Sequence, residues 1–193
     1  MNISDEVLIS RFKGGDKNSF GKLVERYQAK VYSIVLAMVR DRSDADDLSQ
    51  EIFIKIYKSL IHFRGKSKFF TWLYRITINT CLNALNARKR KPKTILLSYP
   101  VGETKNPLST QLSQDTVRSP MEILKNKELG VKMKLAIDSL SDGLREVFIL
   151  REVEDLSYKE LSKILQCSEG TIKSRLFRVR EKLKKKLAPY LGE

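Results

Sequence analysis

Two cysteines and one histidine in 193 residues leave little from which to build a metal centre. Cys81 and Cys167 stand far apart, and neither they nor His62 have partners at metal-ligand spacing. This argues against a zinc site or a disulfide framework and predicts two reduced thiols, as in a cytoplasmic protein. Long apolar runs are missing too, since no stretch approaches the about 20 residues of a membrane helix. The opening residues 1–11 are polar and acidic, without the basic-then-apolar order of a signal peptide. No direct membrane insertion is expected. The chain also lacks paired carboxylates at catalytic spacing, a nucleophile motif and a phosphate-binding glycine loop. No catalytic residue, cofactor or metal is expected, and the chain does not read as an enzyme.

Acidic side chains are outnumbered, 23 against 37 Lys and Arg, for a formal net charge of +14. The apolar share of 41% is ordinary for a globular chain. A surplus of this size points to a polyanionic partner, nucleic acid ahead of an acidic membrane surface.

Proline is concentrated in one place. Pro92, Pro100, Pro107 and Pro120 bracket a Ser/Thr/Gln-rich stretch over 98–119 with few large apolar residues. Such a composition rarely supports a core, so a linker is expected over 92–120. On either side the apolar period is helical, with no convincing alternating strand and no internal repeat. The predicted fold class is all-α, with helical domains over 1–91 and 121–193 joined by the linker.

The C-terminal part carries the sharpest local signals. Ser157 with Glu160 three residues on forms a capping box, and Leu156 with Leu161 a hydrophobic staple. Gln166 and Cys167 make a turn, and Ser168 can cap the next helix. A short helix, a tight turn and a longer helix over 171–186 is the helix-turn-helix pattern. Within the longer helix Ile172, Leu176, Val179 and Leu183 form the core stripe. Lys173, Ser174, Phe177, Arg178, Glu181 and Lys184 lie opposite. An outward Phe177 suits a thymine methyl in a major groove, while Lys173 and Arg178 suit phosphates or guanine edges. Leu135, Ile137, Leu140, Leu144, Val147, Phe148 and Leu150 supply apolar faces for further helices, broken near 141–143. A four-helix unit over about 121–187 is expected.

In the N-terminal part a helix opening at 43–46 runs to about Leu60, with Leu48, Ile52, Ile56 and Leu60 as its core stripe. Asp47, Gln50, Glu51 and Ile54 follow helical spacing on a second face. In so basic a chain that face suggests a protein partner as readily as plain solvation. Residues 62–72 then interleave basic and aromatic side chains, a mixture that suits single-stranded DNA, although the rings also suit a core. The following helix lines up Arg75, Asn79, Asn83 and Asn86. Asparagine is a poor interior helix former, and amides can read base edges. Arg88 to Lys91 close the helix with a basic run suited to phosphates.

Four blocks together resemble a known family. They are DKNSFGKLVERYQAKVY from Asp16, DADDLSQEIFIKIY from Asp44, FRGKSKFFTWLYRITINTCLN from Phe63, and LSYKELSKILQCSEGTIKSRLFRVREK from Leu156. In this order they resemble the extracytoplasmic-function sigma factors of bacterial RNA polymerase, most closely the envelope-stress, sigma-E-like type. The resemblance covers nearly the whole chain apart from the linker. It implies a region-two domain over 1–91, a linker through the polymerase cleft, and a region-four domain over 121–193. Core polymerase is the implied partner, with Asp47, Gln50, Glu51 and Ile54 on the β′ clamp helices and the C-terminal domain on the β flap. The resemblance also implies that Phe63, Gly65, Lys66, Ser67, Lys68, Arg75, Asn79 and Asn83 read and melt the −10 element. Lys173, Ser174, Arg175, Phe177 and Arg178 would read the −35 duplex. An anti-sigma factor, either soluble or membrane-anchored, is a further implied partner. The alternative is a two-domain helix-turn-helix regulator acting without polymerase.

Overall fold

The computed structural model describes residues 3–90 and 120–191, apart from the side chains of 120–127 and 191. All regular structure among the described residues is helical, as expected. The linker expected over 92–120 falls outside the described residues except for Pro120, as does Lys91 of the basic run.

The N-terminal half consists of α1 (Asp5–Lys13), α2 (Asn18–Val39), α3 (Arg42–Leu60) and α4 (Phe69–Arg90). Ser4 caps α1, and Asp5 anchors that helix to α2 by accepting from Tyr27 Oη and pairing with Arg26. Helix α3 starts slightly earlier than its Ser-Asp-Ala-Asp opening suggested. Asp41 is extended and its carboxylate accepts from Asp44 N at 2.9 Å, so Arg42 is already helical. The stripe Leu48, Ile52, Ile56 and Leu60 is buried, in one cluster with Leu23, Val31 and Ile34 of α2 and Leu73 and Ile78 of α4. The 3.6-residue period alone places those four side chains on one face.

The C-terminal half consists of α5 (Pro120–Asp138), α6 (Asp142–Phe148), α7 (Tyr158–Leu165) and α8 (Glu169–Leu191). Helix α6 runs on into one wide turn of π-helix over Ile149–Val153. A buried arginine makes the corner between α5 and α6. Arg145 is fully enclosed, donates to the carbonyls of Asp138 and Leu140 at 3.0 and 2.5 Å, and pairs with Asp142. These bonds satisfy carbonyls left open at the end of α5, which is why the chain can break at 139–141 without exposing its core. One expected core position fails: Leu135 is exposed on α5. Its neighbours Ile137 and Leu140 do pack, against Leu144 and Val179.

The two halves share a seam. Buried residues of both, from Leu8 to Leu176, form one continuous cluster. Helix α4 packs on α7, and α2 on α6 and the π turn. Across the seam the phenol of Tyr74, itself 2% exposed, donates to Glu154 at 2.8 Å. Burial and the Glu154 charge push that phenol well above its ordinary range, so it stays a donor.

Candidate nucleic-acid interface

The helix-turn-helix forms as its local chemistry dictates. Ser157 Oγ accepts from Glu160 N, and the Glu160 carboxylate accepts from Ser157 N at 3.0 Å, completing the capping box. Those bonds to the charged form hold the Glu160 carboxyl below the usual range. Gln166 ends α7 in the left-handed region, φ 53°, and turns the chain. Ser168 then caps α8 by accepting from Thr171 N at 3.1 Å. Ile172, Leu176 and Val179 are buried and Leu183 packs partly against them.

That stripe fixes what α8 shows to solvent. Lys173, Ser174, Phe177 and Arg178 are all exposed, together with Glu181 and Lys184. Phe177 is 64% exposed, on the same face as Lys173 and Arg178. Arg175 lies apart from this group. At about 100° per residue it flanks the core stripe, and its guanidinium donates to Glu146 on α6 at 2.8 Å. Glu146 is buried, which raises its carboxyl pKa against the opposing pull of Arg175. The pair braces the recognition helix against α6. No local sequence signal marks Glu146, because its partner is 29 residues away.

A second surface lies on the N-terminal half. The loop between α3 and α4 turns at Gly65, whose φ of 68° favours glycine. Gly65, Lys66 and Lys68 are exposed and Ser67 is half-buried. Lys68 Nζ sits 5.5 Å from the Phe70 ring centre and 3.9 Å from Glu160. Along α4, Asn79, Asn83 and Asn86 are exposed on one face and Arg75 is half-buried above them. The amides therefore cost helix propensity without a role in the core.

Phe63 differs from the rest of its set. Its side chain is 8% exposed and packs edge-on to Phe69 and tilted against Trp72. Its ring therefore belongs to the core cluster rather than to the exposed face of the loop. Lys13 of α1 donates to the Phe63 carbonyl at 2.5 Å, a tie that sequence reasoning missed because it spans 50 residues.

On α3, Asp47, Gln50, Glu51 and Ile54 are exposed along one face. Ile54 is 54% exposed and continues into the exposed Tyr57 and Ile61. Beside it a groove of about 130 Å³ runs between α3 and α4, lined by Asp47, Leu48, Glu51, Ala84 and Leu85. The Asp44–Arg88 ion pair borders the groove. Cys81 is buried and Cys167 half-buried, both as free thiols. Among the described residues no group of three or more His, Cys, Asp or Glu could hold a metal ion. None of the described helices is long and apolar enough to cross a membrane.

Fold and surface together define a two-part helical DNA-binding protein organised around a helix-turn-helix. Residues 23–91 match the family described as Sigma-70 region 2, and residues 131–183 match Sigma-70, region 4. The chain is 39% identical over 189 residues to the RNA polymerase sigma-H factor of Pseudomonas aeruginosa, covering 98% of this chain and 96% of that one. Identity to the ECF RNA polymerase sigma-E factor of Escherichia coli K12 is also 39% over 189 residues, covering 98% and 97%. The chain belongs to the extracytoplasmic-function family of RNA polymerase sigma factors. Two solved structures share its fold. CnrH in complex with the cytosolic domain of CnrY superposes with TM-score 0.67 at 20% identity, over 96% of this chain and 97% of that one. RpoE from Bartonella quintana in complex with the anti-sigma factor NepR gives 0.65 at 22%, over 88% and 96%.

Proposed function

We propose that this chain binds core RNA polymerase and directs it to promoters by reading a −35 duplex with α8 and a melted −10 strand with the α3–α4 loop and α4. The observation that carries this reading is the presence on one chain of two separate exposed DNA-type surfaces. One is the Lys173–Ser174–Phe177–Arg178 face, and the other the Asn79–Asn83 ladder with its basic loop.

On the duplex, Lys173 and Arg178 reach phosphates or guanine edges, Ser174 a further polar edge, and Phe177 a thymine methyl. Arg175 acts mainly through Glu146, fixing the angle at which α8 enters the groove. On the opened strand, Lys66 and Lys68 follow phosphates while Ser67, Asn79 and Asn83 hydrogen-bond an extruded base, with Arg75 beside them. Phe63 and Gly65 shape the loop that receives it. Extruding a base costs a few kcal/mol, and stacking and hydrogen bonds in the loop offset that cost. RNA synthesis itself belongs to the core enzyme, so this chain is an initiation factor and not an enzyme.

Domain boundaries at 1–91, 92–120 and 121–193 accompany this reading. Asp47, Gln50, Glu51 and Ile54 dock on the β′ clamp helices, and the C-terminal half on the β flap. The E. coli relative is named a sigma-E factor and the Bartonella neighbour was solved with an anti-sigma factor. We carry that control over to this chain, with an anti-sigma factor, soluble or membrane-anchored, covering the polymerase-binding faces. The protein acts in the cytoplasm, where core polymerase and DNA are.

Replacing Ile54 with Arg tests the core-binding face. It places a charge in the apolar centre of the contact, and affinity for core polymerase is expected to fall at least roughly tenfold while the fold survives. Unchanged affinity contradicts the assignment of that face.

A further inference from the structure

Helix α1 carries none of the residues assigned above to DNA, yet it is bonded to the loop that carries several of them. Lys13, in the last turn of α1, donates from Nζ to the Phe63 carbonyl at 2.5 Å. The other end of α1 is fixed to α2. Asp5 accepts from Tyr27 Oη at 2.5 Å, and Arg26 donates to the Ile3 carbonyl at 2.6 Å. Next to Lys13, the Phe12 ring centre lies 5.7 Å from that of Phe20 on α2 and 5.2 Å, edge-on, from that of Tyr57 on α3. Lys13 therefore reaches the loop from a support that is itself packed on α2 and α3.

The bond falls where the exposed part of the loop begins. Backbone bonds tie the loop at its two ends: Phe63 N donates to the Leu60 carbonyl at 3.1 Å, and the Lys68 carbonyl accepts from Trp72 N at 3.3 Å. The Phe63 ring is buried against Phe69 and Trp72, so this residue is already held by its side chain. Lys13 holds its carbonyl, and with it the peptide group that leads to the exposed Arg64. Gly65 then turns the chain in the left-handed region, φ 68°. With that peptide plane fixed, the direction in which Lys66, Ser67 and Lys68 follow is constrained from its first step. The bond is charge-assisted, and an ammonium at the C-terminal end of α1 is favoured by the helix dipole.

We propose that Lys13 is a positioning residue for the loop between α3 and α4, fixing the Phe63–Arg64 peptide so that Lys66, Ser67 and Lys68 are presented in one arrangement before a strand arrives. The consequence for base preference rests on the −10 reading above; the tie between α1 and the loop does not. A loop ordered in advance loses less conformational freedom on binding. The gain goes to the sequence that fits the arrangement, whereas phosphates are common to every strand. Lys13 is an exposed residue, so its bond biases the loop and does not lock it.

Lys13→Met keeps the aliphatic stem and removes the donor. Backbone order parameters of Arg64 to Ser67, measured by NMR on the full chain, read the tie without DNA. They are expected to fall by at least roughly 0.1 in Lys13→Met, with those of α8 unchanged. Lys17→Met removes the same charge from the exposed residue that precedes α2, and should match the parent. Loop order that is unchanged in Lys13→Met, or that falls equally in Lys17→Met, overturns the proposal.

Sequence preference reads the consequence. The full chain on core polymerase, with capture by core enzyme alone subtracted, selects from a single-stranded pool with about six randomised positions, and the bound strands are sequenced. In Lys13→Met, enrichment of the parent's preferred sequences is expected to fall about fivefold, while affinity for the whole pool changes by less than about twofold. Equal losses in both, with a shallower salt dependence, would make Lys13 a phosphate contact and overturn the proposal. Loop order that falls while enrichment stays at the parent level also overturns it. If the parent enriches no sequence while loop order still falls in Lys13→Met, the tie stands and the −10 assignment fails.

Discussion

The Arg175 guanidinium on the recognition helix donates to the buried carboxylate of Glu146 on α6, 2.8 Å away. A side chain that the family resemblance places among the −35 readers is thus tied inward. Glu146 cannot leave water without a partner, and Arg175 is that partner. The same contact ties α8 to α6.

Arg175→Ala leaves that carboxylate buried and unpaired, and is expected to cost about 2–3 kcal/mol in urea unfolding at pH 7. This is below the range for a fully buried pair, because Arg175 is about a third exposed. The penalty is pH-dependent. Burial raises the folded pKa of Glu146 above its ordinary value, so the folded state holds the proton more tightly than the unfolded state. Stability from that proton is present below the ordinary glutamate range and lost as pH rises through the raised value. Removing Arg175 raises the folded value further. The gap between wild type and variant should therefore narrow from pH 7 to pH 5. A gap that is constant with pH contradicts the account.

Phe177→Ala/Arg178→Ala removes two exposed side chains that lie outside the core clusters. Stability should change by no more than about 0.5 kcal/mol. Binding to −35 duplex DNA by the polymerase-bound protein should weaken by about 2–4 kcal/mol, with core affinity unchanged. Wild-type −35 binding would remove α8 from the duplex.

Asn79→Ala deletes an exposed amide at a position where alanine is the better helix former. Thermal stability should rise slightly while affinity for a single-stranded −10 oligonucleotide falls by about 1–2 kcal/mol. The opposite directions matter, because a merely structural asparagine would move both together.

The two thiols should differ in reactivity. Burial raises the Cys81 pKa to about 12, so almost no thiolate exists at pH 8. Cys167, half-buried in the turn, should be alkylated by iodoacetamide first and Cys81 only on unfolding. Equal labelling of both in the native state, read by mass spectrometry, contradicts the core placement of Cys81.

What could be read from the sequence was local. The capping box of Ser157 and Glu160, the turn at Gln166 and the stripe from Ile172 to Leu183 all depend on neighbours within a few residues. The outward face containing Phe177 follows from that stripe. What could not be read were contacts between distant segments. Arg175 looks like any basic residue on a DNA helix until Glu146 is placed beneath it. Phe63 has the composition of a stacking platform, yet the arrival of Phe69 and Trp72 makes it core. Leu135 has the right character for a core position but faces outward, because α5 turns Ala136 and Ile137 inward instead. Ion pairs between the halves, such as Arg40 with Asp138, join residues far apart in the chain and leave no periodic trace.

In the proposed function, two surfaces on one chain read a promoter together with core polymerase. Run-off transcription with purified core enzyme on a template carrying both elements tests it most directly. Wild-type protein should support a discrete transcript, and either Phe177→Ala/Arg178→Ala or Asn79→Ala should reduce it at least roughly tenfold without loss of core binding. A chain that binds the duplex tightly alone, and gives no transcript with core, would be a conventional regulator and would contradict the account.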